Sequence, residues 1–299
     1  MDIIGKKYFY FALSLFVVVP GLISLILFGL NLSIDFTGGS RLTLSFPKKV
    51  DKGMTFKIRN ALEQQKVNVS IIETSDKLAF VRTSIMDQSQ NAKFINSLSR
   101  EFKGVKQTEF ETIGPTIGNE TTTNAITAVI LASILIVLYI TWSFRKVPKP
   151  ASSFRFGICA IVALIHDVLV VVGIFSILGH FFRVEVDSLF VTAVLTIIGF
   201  SVHDTIVVFD RIRENLKRMV GSPFADVVND SILQTLARSL NTSITTLLVL
   251  FALYIFGGES IRWFIAALLI GITSGTYSSI FNAAPLLVVW HEWSEKRGW

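Results

Sequence analysis

Six stretches of about twenty mostly apolar residues leave this chain few folds to choose from. They run approximately over 8–30, 122–142, 156–178, 188–209, 237–256 and 261–290, the last long enough to tilt or to extend past a bilayer. Coiled as helices, runs of that length match the hydrocarbon thickness of a membrane. Composition agrees: 51% of residues are hydrophobic and only 17% charged, with a mean hydropathy of +0.59. The first run follows Lys6 and Lys7, lacks a small-x-small cleavage site and contains Pro20-Gly21, so it reads as an uncleaved anchor.

The formal charge of +6 is gathered in short basic blocks beside the apolar runs, which points to orientation in a bilayer and away from nucleic acid. Lys6/Lys7, the Arg145/Lys146/Lys149/Arg155 loop, Arg211/Arg213/Lys217/Arg218 and Lys296/Arg297 alternate with loops represented by Arg183 and Arg262. The positive-inside rule then puts both termini in the cytoplasm and residues 31–121 outside. This yields a first span, an extracytoplasmic insert with its linker at 31–121, a five-helix membrane domain at 122–290 and a cytoplasmic tail at 291–299.

The insert has the pattern of a folded domain. Ser40–Phe46, Val67–Thr74, Leu78–Ser84 and Gly104–Thr112 read as strands, Lys52–Gln65 and Gln88–Phe102 as helices. Strand, helix, strand, strand, helix, strand is the order of the ferredoxin-like split βαβ fold. The fold class expected is therefore an α-helical polytopic membrane protein of six transmembrane helices with an inserted α+β ferredoxin-like domain. Between the fourth and fifth spans, 211–236 reads as a cytoplasmic amphipathic segment broken at Gly221, with Phe224, Val227, Val228 and Ile232 on one side. Such a helix is expected on the membrane surface or against a partner.

Charges inside the spans are the features most in need of a role. Asp167 lies near the middle of the third span. An uncompensated carboxylate there costs several kcal/mol, so it is expected to be protonated, paired or turned to water within the protein. Asp204 sits toward the cytoplasmic end of the fourth span and Arg238 begins the fifth on the same side, within side-chain reach of each other. That pair has two readings: a structural ion pair, or a titratable site in which Asp204 carries a proton and Arg238 tunes it. Asp167 has no obvious cationic partner in the chain, and its counterpart is left open.

His203 and His166 each precede one of these aspartates, but adjacent helical residues point about 100° apart, so neither dipeptide is a metal clamp. Each is read as an interhelical hydrogen-bond donor, with a proton relay as the alternative. Gly271 and Gly275 form a small-residue packing face followed by Ser278 and Ser279. No nucleophile triad, Walker loop or dinucleotide fingerprint is present, and the single Cys159 makes neither a disulfide framework nor a thiolate metal site. Neither an enzyme nor a cofactor is expected. Gly38-Gly39 lacks the context of a phosphate loop and reads as a turn into the first strand.

Several segments carry a resemblance. Ile34-Asp-Phe-Thr-Gly-Gly-Ser, Ile113-Gly-Pro-Thr-Ile-Gly-Asn-Glu, Asp204-Thr-Ile-Val-Val-Phe-Asp-Arg-Ile-Arg-Glu-Asn, Arg238-Ser-Leu-Asn-Thr-Ser-Ile-Thr-Thr-Leu-Leu and Gly275-Thr-Tyr-Ser-Ser-Ile-Phe-Asn-Ala-Ala-Pro occur in this order. Together they resemble the SecF branch of the SecD/SecF family of bacterial protein-export membrane proteins, related in fold to the resistance-nodulation-division transporters. The resemblance spans nearly the whole chain. It implies a location in the bacterial cytoplasmic membrane and an accessory role in preprotein translocation driven by the proton motive force. It implies SecD as a separate partner, with the SecYEG channel, the translocating preprotein and protons as the other interacting species. It implies that Asp204 and Arg238 match the family's proton-coupling pair, and that Asp210, Arg211 and Arg213 belong to the cytoplasmic end of the fourth span. His203 departs from the Asn found there in many relatives. A structural scaffold without proton coupling and, by fold analogy, a small-molecule exporter are the competing readings.

Overall fold

The computed structural model describes residues 1–145, 147–148 and 151–297; Lys146 and Lys149 of the basic loop and the last two residues of the tail lie outside the described residues. The chain divides into two compact units, Met1–Asn31 with Ile126–Trp299, and Leu32–Ala125.

In the smaller unit, alternation of apolar residues builds strands β1 Gly39–Ser45, β2 Val69–Ser75, β3 Leu78–Thr83 and β4 Lys106–Ile113. They form one antiparallel sheet in the order β2-β3-β1-β4. Two helices cover one face. The single turn Ile34–Thr37 precedes β1 and is α2, the helix Lys52–Glu63 is α3, and Gln88–Glu101 is α4. Leu42, Leu44, Ala79 and Val81 point from the sheet onto Ile58 and Leu62 of α3 and Phe94 and Leu98 of α4. The helices start where short acidic side chains cap them: Asp51 accepts from the Met54 amide, and Asp87 closes a capping box with Gln90. Topology and element order are those of the expected ferredoxin-like domain. Gly39 has φ +124°, and a Cβ there would lie 2.8 Å from the Thr83 carbonyl oxygen, so this turn into β1 takes only glycine without strain.

Among the described residues six helical spans have a length suited to a bilayer, at Ile4–Phe28, Pro115–Ser143, Ser153–Phe182, Ser188–Arg218, Phe224–Phe256 and Glu259–Lys296, the second beginning within the smaller unit. The first contains α1 Lys7–Phe28; the next four are α5, α6, α7 and α8. The sixth is interrupted: α9 Glu259–Ser278 passes through a π-helical turn, Ser279–Ala283, into α10 Ala284–Lys296. Pro285 explains the interruption, since it cannot donate to the Phe281 carbonyl and its ring crowds that group.

Small residues set the closest crossings. A Cβ on Gly21 of α1 would lie 2.8 Å from the Gly173 Cα of α6, and Ser24 and Ser176 join hydroxyls at 2.9 Å one turn further on. A Cβ on Gly271 would lie 2.2 Å from Ile197 Cδ1, and one on Gly275 would lie 2.9 Å from Ser201 Cβ, so α7 and α9 meet along these two glycines.

The amphipathic segment 211–236 requires a correction. It is not a separate surface helix: α7 continues to Arg218, the chain turns, and α8 begins at Phe224 and runs on without a break. The apolar side of that helical hairpin is buried in the chain itself, with Val227, Val228 and Ile232 at most 1% exposed. Polar contacts hold the hairpin, including Asn215 Nδ2 on Ser231 Oγ at 2.9 Å and Arg211 Nε on Gln234 Oε1 at 2.5 Å. Asn229 Oδ1 accepts from the Ile3 amide at 2.9 Å, fastening the N-terminus, and Lys7 pairs with Glu292 of α10. The hydrophobic face needed cover, and the chain's own N-terminal turn and neighbouring helices supply it.

Candidate functional site: carboxylates among hydroxyls

Both buried carboxylates of the bundle lie where α6, α7, α8 and α9 meet. Asp167, on α6, is 1% exposed. Its Oδ2 accepts from Ser201 of α7 at 2.5 Å and from Ser278 of α9 at 2.7 Å. Its Oδ1 accepts from Ser274 of α9 at 2.8 Å and lies 3.0 Å from His166 Nδ1. Ser274 and Ser278 are four residues apart and therefore stack on one face of α9. Gly275, between them, lets α7 come close enough for Ser201 to reach the same carboxylate. A buried carboxylate is tolerated in such a place because each oxygen has two hydrogen-bonding neighbours.

Asp204 is held differently. It is 2% exposed, and its Oδ2 has Ser243 of α8 and Thr276 of α9 each at 3.4 Å, a long distance for an O–H···O bond. Those two hydroxyls instead bond each other at 2.6 Å. Nearby, Thr205 and Ser279 join at 2.8 Å, and Ser279 donates to the Ser201 carbonyl at 3.2 Å, so the first residue of the π-turn ties back to α7. π-turns often accompany functional positions because they re-aim side chains within a helix.

The residues picked out from sequence are thus brought together unequally. Asp167, the member whose counterpart was open, has four hydrogen-bonding neighbours on its own and two other helices. Arg238 is exposed, and among the described residues it forms no ion pair with Asp204. Arg238 lies one position from Ser239, on a different side of α8 from the buried Thr235, Ser239 and Ser243. His203 is also exposed, turned away from the buried Asp204 by the same 100° step. Gly271 and Gly275 lie at the α7–α9 crossing. Among the described residues no group of three or more His, Cys, Asp or Glu is arranged to hold a metal ion.

Ser201, Ser274 and Thr276 are the polar residues that sequence reasoning passed over, and Ser278 stood out there only beside a packing face. A hydroxyl in a helix satisfies itself on its own i−4 carbonyl, as Thr273 does on Leu269 at 2.7 Å, so hydroxyls that serve a neighbouring helix look no different in sequence. The one available signal was Ser274 and Ser278 at the same spacing as Gly271 and Gly275.

Fold and core together define a polytopic membrane protein built around two intramembrane carboxylates, with a ferredoxin-like domain inserted after its first span. The family described as protein export membrane protein SecD/SecF, C-terminal, matches residues 93–293, and the SecD/SecF GG motif matches residues 23–50, which include Gly38-Gly39. The chain is 48% identical to a protein translocase subunit SecF of Thermobaculum terrenum, over 97% of this chain and 94% of that one. It is 36% identical to protein translocase subunit SecDF of Bacillus subtilis, where the match covers 97% of this chain but 38% of the longer relative. Its fold is similar to the crystal structure of SecDF, a translocon-associated membrane protein from Thermus thermophilus, with TM-score 0.85 and 34% identity over 98% of this chain and 39% of that one. The chain belongs to the SecD/SecF family of protein-export membrane proteins.

Proposed function

We propose that this chain acts as the SecF-type accessory subunit of the bacterial Sec protein translocase, working with a separate SecD subunit beside the SecYEG channel. Fusion of the two halves in the longer SecDF relatives supports that pairing. In this reading the membrane is the bacterial cytoplasmic membrane, both termini are cytoplasmic, and residues 31–121 act outside on the emerging preprotein, in keeping with the distribution of basic loops.

The observation that carries a proton-driven role is Asp204 itself: a carboxylate 2% exposed inside a membrane bundle, on two long hydroxyl contacts and with no cation bound to it among the described residues. Ionisable groups in such places are costly and mark ion pathways. Asp204 takes and releases the proton, while Arg238, always charged, biases its state. The arrangement with Asp204 on hydroxyls and Arg238 turned out is one of two states, and the pair closes in the other. Each charge crossing gains about 2.3 kcal/mol per 100 mV from the electrical gradient. Helix movement reaches the inserted domain through its two covalent connections, the first and second spans.

The test is preprotein export and proton flux in vesicles reconstituted with Asp204→Asn and Arg238→Met. Loss of both activities in complexes that assemble normally is expected. Wild-type levels of both would overturn the motor and favour a scaffold, the reading to which the tight hydroxyl set around Asp167 lends weight. Co-purification with SecD and a preprotein, without drug-dependent flux, separates export from small-molecule transport.

A further inference from the structure

We propose that His166 and Asp167 form a proton-exchanging dyad in the bundle core, with His166 passing protons to and from the Asp167 carboxylate. Its use in transport rests on the proton-coupled reading above; its chemistry does not.

The geometry has three parts. First, His166 Nδ1 lies 3.0 Å from Asp167 Oδ1, the distance of a hydrogen bond along which a proton moves. Second, the far side of the imidazole is unpartnered: the His166 side chain is 14% exposed and that of Asp167 1%, and Nε2 is buried without a hydrogen bond among the described residues. Buried polar atoms without a protein partner are exceptional and call for water or a proton-transfer role.

Third, the site accommodates both protonation states. The ionised carboxylate accepts from Ser201, Ser274 and Ser278. A protonated Oδ1 donates back to the Nδ1 its proton came from, while Oδ2 keeps Ser201 and Ser278. No buried donor is orphaned in either state.

The charged groups on the helices packed against α6 are engaged elsewhere. Lys7 of α1 pairs with Glu292 of α10, and His291 of α10 faces Glu295. On α7, Asp210 pairs with Arg213 and Glu214 with Arg211 and Arg218, Asp204 sits by Ser243 and Thr276, and His203 is exposed. On α9, Glu259 is exposed, and Arg262 lies over the Tyr254 ring. Among the described residues His166 is the titratable group bonded to Asp167.

The step balances as a proton transfer alone. A proton arriving at Nε2 makes the imidazolium, and the Nδ1 proton then moves to Oδ1. A neutral imidazole protonated at Nε2 and a neutral carboxyl remain. The reverse sequence releases the proton. Because the carboxylate bonds α7 and α9 at once, neutralising it weakens the charge-assisted hydrogen bonds that join three helices.

The test is time-resolved difference infrared spectroscopy of the full chain in lipid vesicles after a pH jump. A carboxyl band absent in Asp167→Asn is expected to appear after a jump to acid and to vanish on the return. In His166→Gln its appearance is expected to slow by at least about tenfold, in the range set by loss of a positioned proton carrier. His166→Asn supplies a second variant, and unchanged thermal unfolding of either shows that the fold is intact. Absence of that band, or wild-type kinetics in both histidine variants, overturns the dyad. Slowed exchange alongside full proton flux in Asp204→Asn keeps the dyad and overturns the transport reading.

Discussion

Replacing Asp167 by alanine removes the acceptor shared by Ser201, Ser274 and Ser278, at 2.5, 2.8 and 2.7 Å. Interhelical hydrogen bonds within membranes are worth about 0.6 kcal/mol each on average, so three of them contribute roughly 2 kcal/mol. Ser278 recovers part through the Gly275 carbonyl; Ser201 and Ser274 have no second acceptor among their hydrogen bonds described above. The same substitution at Asp204 has the opposite balance. Its two contacts are 3.4 Å long, the hydroxyls keep each other at 2.6 Å, and a desolvated carboxylate is removed. Asp204→Ala is therefore expected to be neutral or stabilising, and Asp167→Ala to destabilise by about 2 kcal/mol. Unfolding by SDS titration in mixed lipid–detergent micelles, followed by tryptophan fluorescence, measures both. Equal losses at the two sites, or no loss at Asp167, would refute the ranking of the carboxylates by their hydrogen bonds. A double-mutant cycle between Asp167→Ala and Ser278→Ala should return a coupling of about 0.6 kcal/mol or more.

Gly173→Ala forces a methyl into the Gly21 backbone and should cost about 1–3 kcal/mol in the same assay. Gly199→Ala, with nothing within 4 Å of the new Cβ, should be neutral or stabilise by up to about 1 kcal/mol. Asn229→Ala should speed hydrogen exchange at the Ile3 and Ile4 amides, which both donate to its Oδ1, while leaving exchange in α4 unchanged. Asp87 has its carboxyl held below the usual aspartate range by the Gln90 amide and the Ser89 hydroxyl. Since the folded form binds its proton less readily than the unfolded one, its capping is fully present above the ordinary aspartate range and is lost as pH falls through the lowered value. Exchange at the first turn of α4 should therefore rise in acid, and Asp87→Asn should flatten that dependence.

Much of this molecule is written in local sequence. Helical spans follow from apolar runs of bilayer length, and the βαββαβ insert follows from a switch of hydrophobic period between two and 3.6. Asp51 and Asp87 mark helix starts because capping is a property of a few adjacent residues. The need of Asp167 and Asp204 for special surroundings was equally plain, since a carboxylate in an apolar span is expensive wherever the helix packs.

Which surroundings they receive is a matter of helix crossings alone. Ser201, Ser274 and Ser278 come from 34, 107 and 111 residues away, and only the α7–α9 approach at Gly275 puts them on one carboxylate. Depth along a span made Asp204 and Arg238 look like partners; rotation about the helix axis, which a linear reading does not fix between helices, set them apart. Local sequence suffices to put these charges among apolar helices. Helix packing encloses Asp167 in hydroxyls and leaves Asp204 loosely held, because hydrogen bonds depend on ångström-scale approach between segments distant in the chain.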